Sequence, residues 1–160
     1  MNQIGVIGSS HCSLETHEIA REVGARIAKN KAILVCGGLT GVMEAACKGA
    51  KKNGGVTVGI LPSLDKEDAN EYVDIAVPTG YGLARNHMVV RCSDVLIAVE
   101  GNIGTLSEIT FALNENKTVI SLNSWDLESE KFNKGNYIVI SSAKEAVNTA
   151  LKIINSKNQI

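Results

Sequence analysis

Apolar residues in this chain gather into short unbroken runs, separated by helix-length segments in which they recur every three or four positions. The runs are Ile4–Gly8, Ala32–Gly38, Val56–Leu61, Tyr72–Val77, Asp94–Val99, Thr118–Leu122 and Asn136–Ile140. Short runs rich in Val and Ile predict strands, and their lack of polar alternation predicts burial on both faces, as in a parallel sheet covered by helices. Between the first two, Ser13–Lys29 carries Ile19, Val23 and Ile27 at helical spacing, with Glu15 at the positive end of the helix dipole. Val42–Lys52, stopped by Asn53-Gly54-Gly55, is the second predicted helix; Leu83–Cys92 and Gly104–Asn114 follow. A last helix opens on a Ser142/Glu145 capping box and sets Ala143, Ala146, Val147, Ala150, Leu151 and Ile154 on one face. This alternation predicts one α/β domain over residues 1–160, a doubly wound, mostly parallel sheet flanked by helices.

Composition narrows the function classes. A chain of 160 residues, 44% hydrophobic and with two prolines, fits one well-buried core rather than a linker-rich or disordered architecture. Sixteen Lys and Arg against seventeen Asp and Glu, with 4% aromatic residues, argue against a nucleic-acid partner. No apolar stretch nears the ~18 residues of a membrane span, and Met1–Ser10 lacks the charged start of a signal peptide, so no membrane association and a cytoplasmic location are expected. The four cysteines, Cys12, Cys36, Cys47 and Cys92, are scattered and are expected to be reduced, the last three as small core residues. No His, Cys, Asp or Glu cluster has metal-ligand spacing, so no metal site is expected.

In a doubly wound sheet, ligands bind beyond the carboxyl ends of the strands, where loops lead into helix N-termini. Three glycine-bearing turns fall there: Gly8–His11, Cys36–Gly41 and Glu100–Thr105. Their glycines (Gly8, Gly37, Gly38, Gly41, Gly101, Gly104) permit close backbone approach, and free N–H groups at a helix start favour an anion. Ser9, Ser10, Thr40 and Thr105 add hydroxyls, and Asn102 and Ile103 complete the third turn. Neither GxGxxG nor a Gly-Lys-Ser/Thr loop is present, which argues against a standard dinucleotide site or P-loop. Arg85, read as opening the helix before Asp94–Val99, lies at the same edge, as do Glu108 and Glu44 in the first turns of their helices. An arginine there can clamp a phosphate, and a carboxylate can hold a sugar hydroxyl or move a proton. The plainer alternative is that Glu44 and Glu108 only complement helix dipoles and that Arg85 pairs with one of them. His11-Cys12 follows the first turn; the thiolate suits a soft metal, although a satisfied loop pair is the simpler reading. Trp125, in the loop Asn123–Gly135, reads as a lid, a subunit contact or plain packing, and Val89-Val90 as an oligomer surface or core.

Two segments carry a family resemblance. CGGLTGVMEAACKGA and RNHMVVRCSDVLIAVEGNIGTLSEI resemble the paired motifs of the LONELY GUY-like group, often labelled possible lysine decarboxylases. Within that superfamily, GVMEA, GILP, ANEYVDIAVPTGYGLARN and GTLSE look most like the molybdenum-cofactor carrier branch. The resemblance, from Ile4 to about Leu122, implies a Rossmann-like fold, a homodimer or homotetramer, and a phosphate-bearing ligand over the glycine turns. In the nucleoside-monophosphate phosphoribohydrolases of that group, the motif's arginine and last glutamate are catalytic, and these match Arg85 and Glu108. The chain departs from the motif at Glu100-Gly101-Asn102, where Pro-Gly-Gly is usual, and at Asn86, where a lysine is usual. A lysine decarboxylase reading is poor, since no lysine sits in a recognisable pyridoxal phosphate context.

The expected function is binding of a phosphorylated heterocycle, a nucleotide or molybdenum cofactor, with no further cofactor required. The alternatives are N-glycosidic hydrolysis of nucleoside monophosphates by Arg85 and Glu108, and a nucleotide-sensing oligomeric scaffold.

Overall fold

The computed structural model describes residues 1–128, 132 and 135–157. Seven strands, β1 (Gln3–Gly8), β2 (Ile33–Cys36), β3 (Thr57–Leu61), β4 (Ile75–Pro78), β5 (Val95–Val99), β6 (Thr118–Leu122) and β7 (Asn136–Ile140), form one sheet in the order β4-β3-β2-β1-β5-β6-β7. Every neighbouring pair is parallel, so the sheet is wholly rather than mostly parallel. The helices are α1 (Leu14–Lys29), α2 (Val42–Lys52), α3 (Asn86–Arg91), α4 (Ile103–Asn114) and α5 (Ala143–Lys157).

Successive strand residues point to opposite faces, and two cores result. On one face Ile4, Val6, Leu34 and Ile97 pack with α1, α2 and α5; on the other Ile7, Val35, Leu96 and Ala98 pack with α3 and α4. Burial on both faces holds for β5 and β6, where every residue is buried. It fails at the edge strands β4 and β7, where helix cover runs out and Ile75 and Val139 are exposed. Val89 and Val90 are core. Ser142 Oγ accepts from the Glu145 N–H at 3.2 Å, the first half of the predicted capping box.

Several element boundaries move, two of them by more than a residue or two. Tyr72 and Val73 precede β4 rather than opening it, packing against the first core. The predicted helix Leu83–Cys92 is split: a 3-10 turn over Gly82–Arg85 leads into α3, and Cys92 caps α3 as an exposed residue rather than a core one. The chain leaves β1 toward β2, β3 and β4, then returns to place β5 on the other side of β1. The topological switch point therefore lies between β1 and β5.

Candidate functional site

Beyond the carboxyl ends of β1, β2 and β5 lies a cavity of about 330 Å3. Of the predicted residues, Gly8, Ser10, Gly37, Arg85, Asn102, Ile103, Gly104, Thr105 and Glu108 line it. Ser9, Gly38, Thr40, Gly41, Glu44 and Gly101 do not, though several of them support its wall. The Ser9 carbonyl takes the Val42 N–H at 3.0 Å, and Thr40 Oγ1 donates to Ser10 O at 2.9 Å. Gly41 makes this approach possible: its φ is +66°, and a Cβ there would lie 2.4 Å from Ser9 O. Glu44 is in the first turn of α2 as predicted, but its neighbour Met43 is the one that faces the cavity.

The three helix starts at this edge differ. At α1, Ser13 Oγ accepts from the Thr16 N–H at 3.1 Å, so the helix caps itself. At α2 the first N–H is taken by Ser9 O. At α4 the cap residue is Asn102, whose side chain caps nothing and instead donates to Ser9 Oγ at 3.4 Å. Among the described residues, no side chain accepts from the first-turn N–H groups of α4, and Asn102 to Thr105 at that helix start border the cavity, as does Met43 in the first turn of α2. Thr105 Oγ1, buried in the same turn, also has no hydrogen-bond partner. Trp125 buttresses this turn rather than covering it: Nε1 donates to Asn102 O at 3.2 Å, and Tyr137 donates to Trp125 O at 2.6 Å. The rest of the loop 123–135 lies partly outside the described residues.

Arg85 and Glu108 meet at this cavity, each only 6% exposed. Arg85 ends the 3-10 turn instead of opening a helix. Glu108 is the sixth residue of α4, in its second turn rather than the first, and is one of that helix's buried residues. Burial pushes the Glu108 carboxyl up to about 8, with Arg85 pulling it back down and Cys36 adding to the rise. Burial likewise lowers the Arg85 guanidinium from its ordinary value, with Glu108 opposing. Arg85 donates through Nη1 to Asn86 Oδ1 and through Nη2 to Gly37 O at 3.4 Å, while its buried Nε has no partner. An unpaired buried donor is uncommon and points to an acceptor that arrives with a ligand.

Sequence reasoning did not assign Asn86, Leu39, Met43 or Leu83 to the site, yet all four line it. For Asn86 a signal existed, since it adjoins Arg85 and departs from the motif. The apolar three carry no chemical signature. His11 is exposed, and the half-buried Cys12 thiol is pushed up by burial and by Glu100, which disfavours the thiolate that a soft metal needs. Among the described residues no group of three His, Cys, Asp or Glu could hold a metal ion, and no helix is long and apolar enough to cross a membrane.

A cavity at the switch point of a wholly parallel sheet marks a Rossmann-like domain. Over residues 1–151 the chain matches the SLOG cluster4 family, and it belongs to that family. An uncharacterised protein of Archaeoglobus fulgidus is 52% identical over 120 residues, 75% of this chain and 79% of that protein. A cytokinin riboside 5'-monophosphate phosphoribohydrolase of Mycobacterium tuberculosis is 32% identical over 69% of this chain, which spans 64% of the enzyme's length. The solved molybdenum cofactor binding protein of Rippkaea orientalis is 38% identical, with a TM-score of 0.87 over 96% of this chain and 97% of that one. The molybdenum cofactor carrier protein of Chlamydomonas reinhardtii is 34% identical, with a TM-score of 0.86 over 97% and 99%. DNA processing protein A of Helicobacter pylori, 22% identical at a TM-score of 0.70, shares the fold alone. The LONELY GUY-like fold expected from the motifs is thus the fold present, with carrier proteins among its structural neighbours.

Proposed function

We propose that this chain is a carrier-like binding protein for a phosphorylated heterocycle of the molybdenum-cofactor or nucleotide class. The observation that carries the reading is the uncapped start of α4, with Thr105 Oγ1 and Arg85 Nε unpartnered beside it. A phosphate monoester supplies the acceptors these donors lack: the first-turn N–H groups take one oxygen, and Thr105 and Arg85 take others. Leu39, Met43 and Leu83 offer apolar walls for a flat ring. Residues suited to holding molybdopterin's phosphate and pterin are therefore present, and binding alone asks for no acid or base. Leu83 and Ile103, 78% and 73% exposed at the mouth of the cavity, support assembly into a homodimer or homotetramer. The near-complete alignment with the Rippkaea orientalis protein supports the same ligand class.

Phosphoribohydrolysis is the second reading, and one observation favours it. Glu108, titrating at about 8, keeps its proton at neutral pH and faces the same cavity as Arg85, an arrangement suited to protonating a leaving base. Incubation with AMP, followed by chromatography for free base and ribose 5-phosphate, separates the two. The expected outcome is no release, together with protection of molybdenum cofactor from oxidation. Rapid release from AMP that disappears in Glu108→Gln would replace the carrier reading with the hydrolase.

A further inference from the structure

Arg85 and Glu108 are both buried and border one cavity, and Arg85 draws the Glu108 carboxyl toward its ionised form, yet among the described residues no hydrogen bond or ion pair joins them. A guanidinium and a carboxyl shielded from water gain by closing into an ion pair, the carboxyl giving up its proton, unless something holds them apart. The restraint on Arg85 is visible. Nη1 is bound to Asn86 Oδ1 and Nη2 to Gly37 O, while a Cβ on Gly37 would lie 2.6 Å from Nη2. Asn86 is itself anchored. It is 4% exposed, and its Nδ2 reaches α4, donating to Ser107 Oγ at 3.1 Å and Gly104 O at 3.4 Å. Both ends of its amide are thereby committed, one to the guanidinium and one to the helix that carries Glu108.

We propose that Asn86 is a positioning residue: it holds the Arg85 guanidinium off the Glu108 carboxyl and leaves both open to the cavity. The proposal deepens the reading of that cavity as the site. It concerns the protein alone, however, and its test needs no ligand. An ion pair between the two would satisfy Arg85 internally and strip Glu108 of its proton. Held apart, the arginine keeps a donor for an incoming anion, and the carboxyl keeps its hydrogen. The groups that act on Glu108 are Arg85, from the 3-10 turn, and Cys36, from β2.

The experiment is a carbon-13 NMR titration of the glutamate side-chain carboxyls, with Glu108→Gln used to assign the signal. Asn86→Ala frees the guanidinium to swing onto Glu108, and the Glu108 midpoint is expected to fall by about one pH unit or more. Asn86→Asp keeps an oxygen acceptor for Arg85 and is expected to show no fall, a rescue that a merely structural asparagine would not give. Should the alanine chain fail to fold, Asn86→Ser, too short to reach the guanidinium, is read by the same criterion. A midpoint unchanged or raised in the folded alanine or serine chain overturns the proposal, as does an equal fall in Asn86→Asp. Should AMP and molybdenum cofactor both fail to bind while the midpoint falls as expected, the binding reading fails and the positioning role stands.

Discussion

The N-termini of α1 and α4 follow the two central strands of the sheet, and they are finished in opposite ways. Ser13 closes α1: its Oγ accepts from the Thr16 N–H at 3.1 Å and donates to Thr16 Oγ1 at 3.0 Å, with Glu15 in the first turn. Asn102 stands at the same position of α4, but its amide is turned toward Ser9, and no acidic residue occupies the first turn. A helix start satisfied by its own side chains is complete as folded. One whose capping residue looks away, beside an unpartnered Thr105 hydroxyl and Arg85 Nε, leaves donors unused that the proposed anion would take. The first is complete as folded, and on the proposed reading the second is left open for binding.

The largest expected effect comes from the carboxyl buried at the α4 end. Glu108 titrates at about 8 in the fold, and a glutamate in an unfolded chain near 4.3. Between those values the folded chain holds a proton that the unfolded chain has released. Stability therefore falls as pH rises through this window, and the whole loss is present above the folded value. The size is up to roughly 5 kcal/mol, an upper bound set by the shift itself. Glu108→Gln stays neutral at every pH and is expected to flatten the decline, as read from urea melts at about pH 5, about pH 7 and about pH 9. An unaltered slope in the glutamine chain would mean that the α4 end stores no such tension, and the contrast with α1 would lose its energetic half.

Next in size are the donors. With inorganic phosphate and AMP as probes in calorimetry, Arg85→Met is expected to weaken binding by about 50- to 100-fold, the loss of a charge-assisted contact. Thr105→Val removes one neutral donor and should lose only about 5-fold. Arg85→Met should not unfold the chain, since an apolar side chain of similar length replaces a buried charge. Equal losses from Ser13→Ala would show that the anion sits at the α1 end instead.

How much of this was legible beforehand follows from what kind of fact each feature is. The strands β5 and β6 read directly from sequence, because burial on both faces leaves unbroken apolar runs. The carboxyl-edge location of Arg85 and Glu108 followed from β-α alternation alone. Their burial did not: Glu108 falls in the second turn of α4, among that helix's buried residues Thr105, Ile109 and Ala112. The three glycine turns were also equivalent on paper. All three border the cavity, but whether the helix that follows is capped by its own side chain depends on where single side chains point: Ser13 inward to its own helix, Asn102 outward to Ser9. Asparagine and serine are both good caps, so residue type cannot announce that one of them declines the role. Asn86 escaped for a related reason: it adjoins Arg85 in sequence, but its bonds to Ser107 and Gly104 join residues that only the tertiary fold brings together.

The smallest expected effect is the most direct test of the two ends. Ser13→Ala deletes a working cap and should lower stability by about 1 kcal/mol, leaving phosphate affinity unchanged. Asn102→Ala deletes only the long 3.4 Å contact to Ser9, since Trp125 bonds to the Asn102 carbonyl, which alanine keeps. Its loss should stay within about 0.5 kcal/mol. Paired thermal melts with and without phosphate read both quantities. If the anion sits at α4 as proposed, added phosphate should stabilise the Ser13→Ala chain as much as the wild type, since the two helix starts share no partner. A full cap penalty in Asn102→Ala would show that Asn102 closes α4 in solution, leaving no reserved site there.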